Sequence, residues 1–179
     1  MVSEVRSRVA RRLKRRQGRL GDTWHLDELF VNIRGQQHYL WRAVDQDGDV
    51  IDILVQPRRD RRAAERFFRK LLKGQGREPR RLVTDKLSSY AAAQRTVMPS
   101  VIHDTGRYEN NRAEVSHQPT RQRERQMRRF KSSAQAQRFL WVHGVTQNFF
   151  RVGRQLLRAA NYRILRARAF DVWSAVRCA

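Results

Sequence analysis

The chain has 179 residues, and 39 Lys and Arg stand against 17 Asp and Glu, for a formal net charge of +22. A hydrophobic content of 40% excludes a compositionally disordered chain, and the length suits one domain with a real core. The charge points to a polyanionic partner, nucleic acid before any other. The lone cysteine, Cys178, excludes an internal disulfide and a zinc knuckle, and no pair of histidines has metal-ligand spacing. No stretch is apolar enough to span a membrane or form a signal-peptide core, so the expected compartment is the cytoplasm, with access to the nucleoid.

Residues 1–22 hold the basic run RSRVARRLKRRQGR. Val5, Val9 and Leu13 recur every four residues, as on a helix, but three apolar residues make a thin stripe. A basic arm is the expected form. From Trp24, WHLDELFVNI reads as a strand, QHYLWRAVD as a second and VIDILVQP as a third, separated by turns at Arg34-Gly35-Gln36 and Gln46-Asp47-Gly48-Asp49. DRRAAERFFRKLLK has helical spacing, with Gly74 as its expected stop. RLVTD reads as a short strand ending on Asp85. SSYAAAQRTV reads as a helix capped by Ser88 or Ser89, and Val101-Ile102-His103 as a short strand. A polar, Arg-rich helical region from about 109 to 129 follows, then a helix over SAQAQRFLWVHGVTQNFFR, then a helical stretch over roughly 154–176. The aromatics Trp24, Trp41, Phe67, Phe68, Phe139 and Trp141 are expected in the core rather than on a base-stacking surface.

Three antiparallel strands followed by βα units form the ribonuclease H-like order. The expected class is α/β with a helical C-terminal extension. The expected layout is an arm over 1–22, a catalytic domain over 23–150 and the extension over 151–179.

Chemistry on phosphodiesters calls for clustered carboxylates, because hard divalent cations take oxygen ligands and neutralise charge at the attacking and leaving oxygens. Asp27 lies mid-strand in an apolar run, where a carboxylate needs a metal or one of the many arginines as partner. Strand alternation sends Glu28 to the opposite face, so Glu28 is expected to stand clear of any site that Asp27 serves. Asp85 ends a strand, where α/β sheets gather functional groups; capping the next helix is its other reading. Glu114, in NNRAEVSH, sits on a helical segment where Asn110 and Asn111 could cap; a solvated side chain is its other reading. Lys86 suits either a phosphate or solvent.

The blocks TWHLDELFVNIRGQQHYLWRAVDQDGDVIDILVQPRRD, LVTDKLSSYAAA and RYENNRAEVSHQPTRQRERQMRRFKS resemble the DDE transposases of bacterial insertion-sequence family six. The likeness runs over about residues 23–150. It implies a ribonuclease H-like fold and a triad of Asp27, Asp85 and Glu114, serving as both catalytic residues and metal ligands. The implied cofactor is a pair of Mg²⁺ or Mn²⁺ ions. The implied partners are insertion-sequence ends and target DNA, with the chain acting as a homo-oligomer on DNA. The implied reaction is cleavage at the element end followed by strand transfer. The family places a basic residue where Arg121 stands. Two helical turns separate Arg121 from Glu114, with Pro119 bending the path. Arg123, Arg125, Arg128, Arg129 and Lys131 continue a basic surface suited to phosphate.

Two departures stand out. Asp85 and Glu114 are 29 positions apart (114 − 85), shorter than the family's usual spacing, and the shortfall falls in the connector AAAQRTVMPSVIHD. The helix-turn-helix region that family members carry ahead of the catalytic domain has no counterpart in residues 1–22. The expected reading is a truncated form; the alternative is an inactive transposon remnant that only binds nucleic acid.

Overall fold

The computed structural model describes residues 2–16, 20–106, 130–151 and 158–178. The elements in chain order are α1 (Val2–Arg16), β1 (Thr23–Ile33), β2 (Gln36–Asp45), β3 (Val50–Gln56), α2 (Arg61–Gln75), β4 (Arg81–Val83), α3 (Ser88–Val97), β5 (Ile102–Asp104), α4 (Ser133–Phe150) and α5 (Ala159–Cys178). They divide into two compact units, Leu20–Leu140, and Met1–Arg19 with Trp141–Ala179. Among the described residues no helix is long and apolar enough to cross a membrane.

In the larger unit, five strands form one sheet in the order β3-β2-β1-β4-β5. β1 to β3 make the antiparallel meander expected from their alternating patterns, and β4 and β5 add in parallel. This mixed sheet with β1 at its centre is the ribonuclease H-like arrangement.

Trp24 and Leu26 alternate onto one face of β1, where they join Trp41 and Ala43 of β2, Ala63, Ala64, Phe67, Phe68 and Leu71 of α2, and Tyr90 and Ala93 of α3. All of these are fully buried. The rings of Trp41 and Tyr90 meet edge to face at 5.3 Å, a favoured aromatic geometry. The four expected core aromatics of this region, Trp24, Trp41, Phe67 and Phe68, are therefore core; Phe139 and Trp141 on α4 are half-buried.

Local chemistry moves several boundaries. α2 runs through Gly74 and ends at Gly76, whose left-handed backbone (φ 64°) directs its amide to Leu72 O at 2.8 Å. At its start, the Asp60 carboxylate accepts the Ala63 amide at 2.8 Å. α3 spans the expected residues, but neither serine caps it: Leu87 is the N-cap residue, and Ser89 is buried. β4 stops at Val83, short of the expected Asp85.

β3 is an edge strand, and its outward backbone is covered. Gln137 of α4 accepts the Val55 amide at 2.7 Å and donates to Ile53 O at 3.1 Å. Lys70 of α2 also donates to Ile53 O, at 3.0 Å, and pairs with Asp52. Covering an edge in this way blocks pairing with another chain.

The smaller unit corrects the expectation of an arm at the N-terminus: residues 2–16 are helical. Ala10 and Leu13 are almost fully buried with Val145, and Val9, Trp141, Val142, Phe149, Val172 and Trp173 pack around them. The thin stripe suffices because apolar residues from α4 and α5 meet it, which the N-terminal sequence alone does not reveal.

Candidate active site

β4 pairs with β1 only from Thr23 to His25. The pairing ends there, and two residues beyond the last pair each segment carries an acidic group, Asp27 and Asp85. The Asp27 carboxylate folds back along its own strand and accepts the Glu28 amide at 2.8 Å. Beyond β4 the chain turns at Thr84. The Thr84 hydroxyl donates to Asp85 O at 2.8 Å and lies 2.9 Å from His103 Nε2 of β5. Burial lowers the His103 pKa, against a weaker opposing pull from Asp104. Asp85 Oδ1 then accepts the Leu87 amide at 3.0 Å, which locks the turn into α3. Asp85 is therefore not the helix cap, a position that Leu87 takes; it holds the turn ahead of α3, and its Oδ2 lies 3.5 Å from Arg59.

Asp27, Glu28 and Asp85 each offer a carboxylate oxygen, and these oxygens lie within 4.8 Å of one another. The structure therefore brings Asp27 and Asp85 together. It also overturns the expectation that Glu28 stands clear. Glu28 pairs with Trp41 across the sheet, as alternation requires, while the Asp27 carboxylate turns to the Glu28 amide, and the two residues' oxygens come within 4.8 Å.

Glu28 is buried. Desolvation raises its pKa; the Tyr90 hydroxyl, donating to Glu28 Oε2 at 2.7 Å, opposes this, the Asp85 charge adds to it, and Arg59 opposes it again. Tyr90, fully buried, has its own pKa pushed well up by burial and then by the Glu28 charge. Arg59 pairs with Glu28 and lies 3.5 Å from Asp85 Oδ2.

Glu28, Tyr90 and Arg59 escaped the sequence reading. The aromatic Tyr90 had a helical slot that suggested packing alone, and Arg59 was one arginine among many. A signal was present in its position two residues after Pro57, in the short connector between the β3 run and α2.

Lys86 is exposed next to Asp85, and Lys131 is exposed with its amide donated to Gln135 Oε1 at 2.7 Å. Glu114, Arg121, Arg123, Arg125, Arg128 and Arg129 lie outside the described residues, as do Asn110 and Asn111.

Oxygen-only donors at this spacing, with crowded negative charge that one arginine offsets in part, fit a hard divalent cation. Oppositely charged or hydrogen-bonded partners would otherwise have to neutralise all three carboxylates.

Comparison with known proteins gives the family and the fold. The sequence profile of a family described as a DDE domain matches residues 21–152. The transposase for insertion sequence-like element IS431mec of Staphylococcus aureus is 33% identical over 99 residues, covering 52% of this chain and 44% of that protein. The transposase for insertion sequence element IS257 in transposon Tn4003, also of Staphylococcus aureus, matches to the same extent. The chain spans less than half the length of these curated relatives.

Among solved structures, the Mos1 transposase catalytic domain with raltegravir and Mg superposes with a TM-score of 0.53 at 14% identity, covering 97% of this chain and 94% of that one. The catalytic core domain of BIV integrase superposes with a TM-score of 0.50 at 17% identity, covering 68% and 81%. At such identities the superpositions establish the shared fold. The family profile covers most of the sequence, and by it the chain belongs to the DDE-domain transposases of insertion-sequence family six.

Proposed function

We propose that the chain is the catalytic part of a transposase that cleaves DNA at insertion-sequence ends and joins the freed 3′ hydroxyl to target DNA. The observation that carries this reading is the meeting of Asp27 and Asp85 where β1 and β4 part, in a member of a DDE-domain family. Asp27, Asp85 and Glu114 would hold two Mg²⁺ or Mn²⁺ ions; the presence of Mg in the Mos1 structure supports the choice of metal. Such ions, when bound, neutralise charge on the attacking and leaving oxygens of an in-line displacement.

The chain's own contribution is placement and charge. Asp85 is fixed by the Leu87 amide and Asp27 by the Glu28 amide, so neither carboxylate has to be ordered when substrate arrives. Lys86 and Lys131, with Arg121, Arg123, Arg125, Arg128 and Arg129, bind the phosphate backbone of element end and target. In hydrolysis a water oxygen attacks phosphorus and the P–O3′ bond breaks; the water gives up a proton to solvent, and the departing 3′ oxygen takes one up to become the free hydroxyl. In strand transfer that 3′ hydroxyl attacks a target phosphorus, losing its proton to solvent, and the target P–O3′ bond breaks, its oxygen taking up a proton as a new 3′ hydroxyl. Action as a homo-oligomer on nucleoid DNA in the cytoplasm completes the proposal.

The test is Mg²⁺-dependent nicking of a duplex carrying the element end. Asp85→Asn and Glu114→Gln keep side-chain shape and remove charge, and each is expected to lower the rate by on the order of a hundredfold or more. Duplex binding should be retained, because the basic residues that bind phosphate are untouched. Full activity in either variant would refute the triad. A wild-type chain that binds DNA but nicks with neither Mg²⁺ nor Mn²⁺ would favour the remnant that only binds.

A further inference from the structure

The connector between β3 and α2 places one arginine inside the acidic cluster. Arg59 pairs with Glu28, whose side chain is 2% exposed, and reaches to 3.5 Å from Asp85 Oδ2. The two ends of this bridge differ. At Glu28 the carboxylate is removed from water and receives a second hydrogen bond from Tyr90, so the arginine is held there. At Asp85 the side chain is 38% exposed and the separation is longer than a charge-assisted hydrogen bond. The Arg59 side chain is itself 33% exposed, so the guanidinium has water within reach. The Arg59 charge thus stands beside oxygens that a divalent cation requires, held firmly at Glu28 and loosely at Asp85.

We infer that Arg59 is the resident counter-cation of the site, a positioning residue that stays on Glu28 and competes with the divalent cation for Asp85. The inference rests on the reading of Asp85 as a metal ligand. Like charges at contact distance repel, so a cation on Asp85 displaces the guanidinium from that carboxylate. Anchored by Glu28, the guanidinium remains at the rim of the site, where its planar fork suits a DNA phosphate. The arrangement limits cation affinity in the absence of DNA, and it prevents Glu28 and Asp85 from repelling one another when the cation is gone.

The test is titration of Mn²⁺ into the full chain without DNA, followed by calorimetry and by the electron paramagnetic resonance signal of the free ion. Removal of the competitor in Arg59→Ala is expected to tighten Mn²⁺ binding about tenfold, an order-of-magnitude figure for one partly screened charge. Arg59→Gln, which keeps a polar side chain, should tighten it similarly, so a folding defect in the alanine variant does not remove the comparison. Arg59→Lys keeps the charge and should bind as the wild type does. Wild-type or weaker binding by the charge-free variants overturns the inference. If Asp85→Asn abolishes Mn²⁺ binding while both charge-free variants match the wild type, the inference fails alone. If Asp85→Asn binds as tightly as the wild type, the metal reading of Asp85 fails and takes the inference with it.

Discussion

At the scale of single residues, the Glu28–Tyr90 contact has a measurable consequence. A buried carboxylate with a raised pKa favours the folded state most at low pH, where it is protonated, and loses that contribution as pH rises through its folded-state pKa. The Tyr90 hydroxyl limits the loss by donating to the ionised form. Tyr90→Phe should therefore destabilise the chain by about 1–3 kcal/mol near neutral pH, because it leaves one oxygen of a buried charge without its hydroxyl donor while Arg59 still pairs with the other, and by much less once pH falls below the ordinary glutamate value of 4.5. Chemical denaturation across that range in the presence of EDTA measures it. A loss that is the same at both ends of the range would mean that Tyr90 acts through packing alone. The same residues show where the sequence was opaque. Asp27 and Asp85 were legible because each lies in a distinctive block. Glu28 was not, since alternation predicts the direction of a Cβ atom and says nothing of a neighbouring carboxylate that folds back to its own strand.

Among the elements, those with strong periodicity were legible almost to the residue: the three strands of the meander, α2 and α3. The misreadings arose where one residue could do another's work. Gly76 replaced Gly74 as the stop because the helix can carry a glycine in its last turn. α1 was underestimated because its partners lie more than a hundred positions away, on α4 and α5. Long-range partners also explain the protection of β3, where a glutamine of α4 satisfies two backbone groups of an edge strand. Gln137→Ala removes both bonds and should lower stability by about 1–2 kcal/mol. It should also raise aggregation on mild heating, because the Val55 amide becomes available to another chain. Unchanged denaturation and light scattering would show that water replaces the glutamine without penalty.

For the molecule as a whole, net charge dominates. A chain at +22 should bind duplex DNA with little sequence preference and with steep dependence on salt. With six to ten phosphate contacts, affinity should fall roughly 10³- to 10⁵-fold between 50 and 200 mM salt. Fluorescence anisotropy on random and element-end duplexes measures this; a flat salt response, or strong discrimination between the two duplexes, would contradict it. The arrangement of the sheet has a further effect, on timing. The strand carrying Asp27 emerges early in synthesis, whereas the three-residue strand that brings in Asp85 pairs with it only after β2, β3 and α2 have been made. Contacts so distant in sequence form late, after the closure of a long loop has been compensated. A nascent chain therefore passes through most of its hairpin-forming length with Asp27 and Asp85 apart, and the carboxylate cluster arises with completion of the sheet. Synthesis stopped before β4 would leave Asp27 and Glu28 without Asp85, the third member of the cluster.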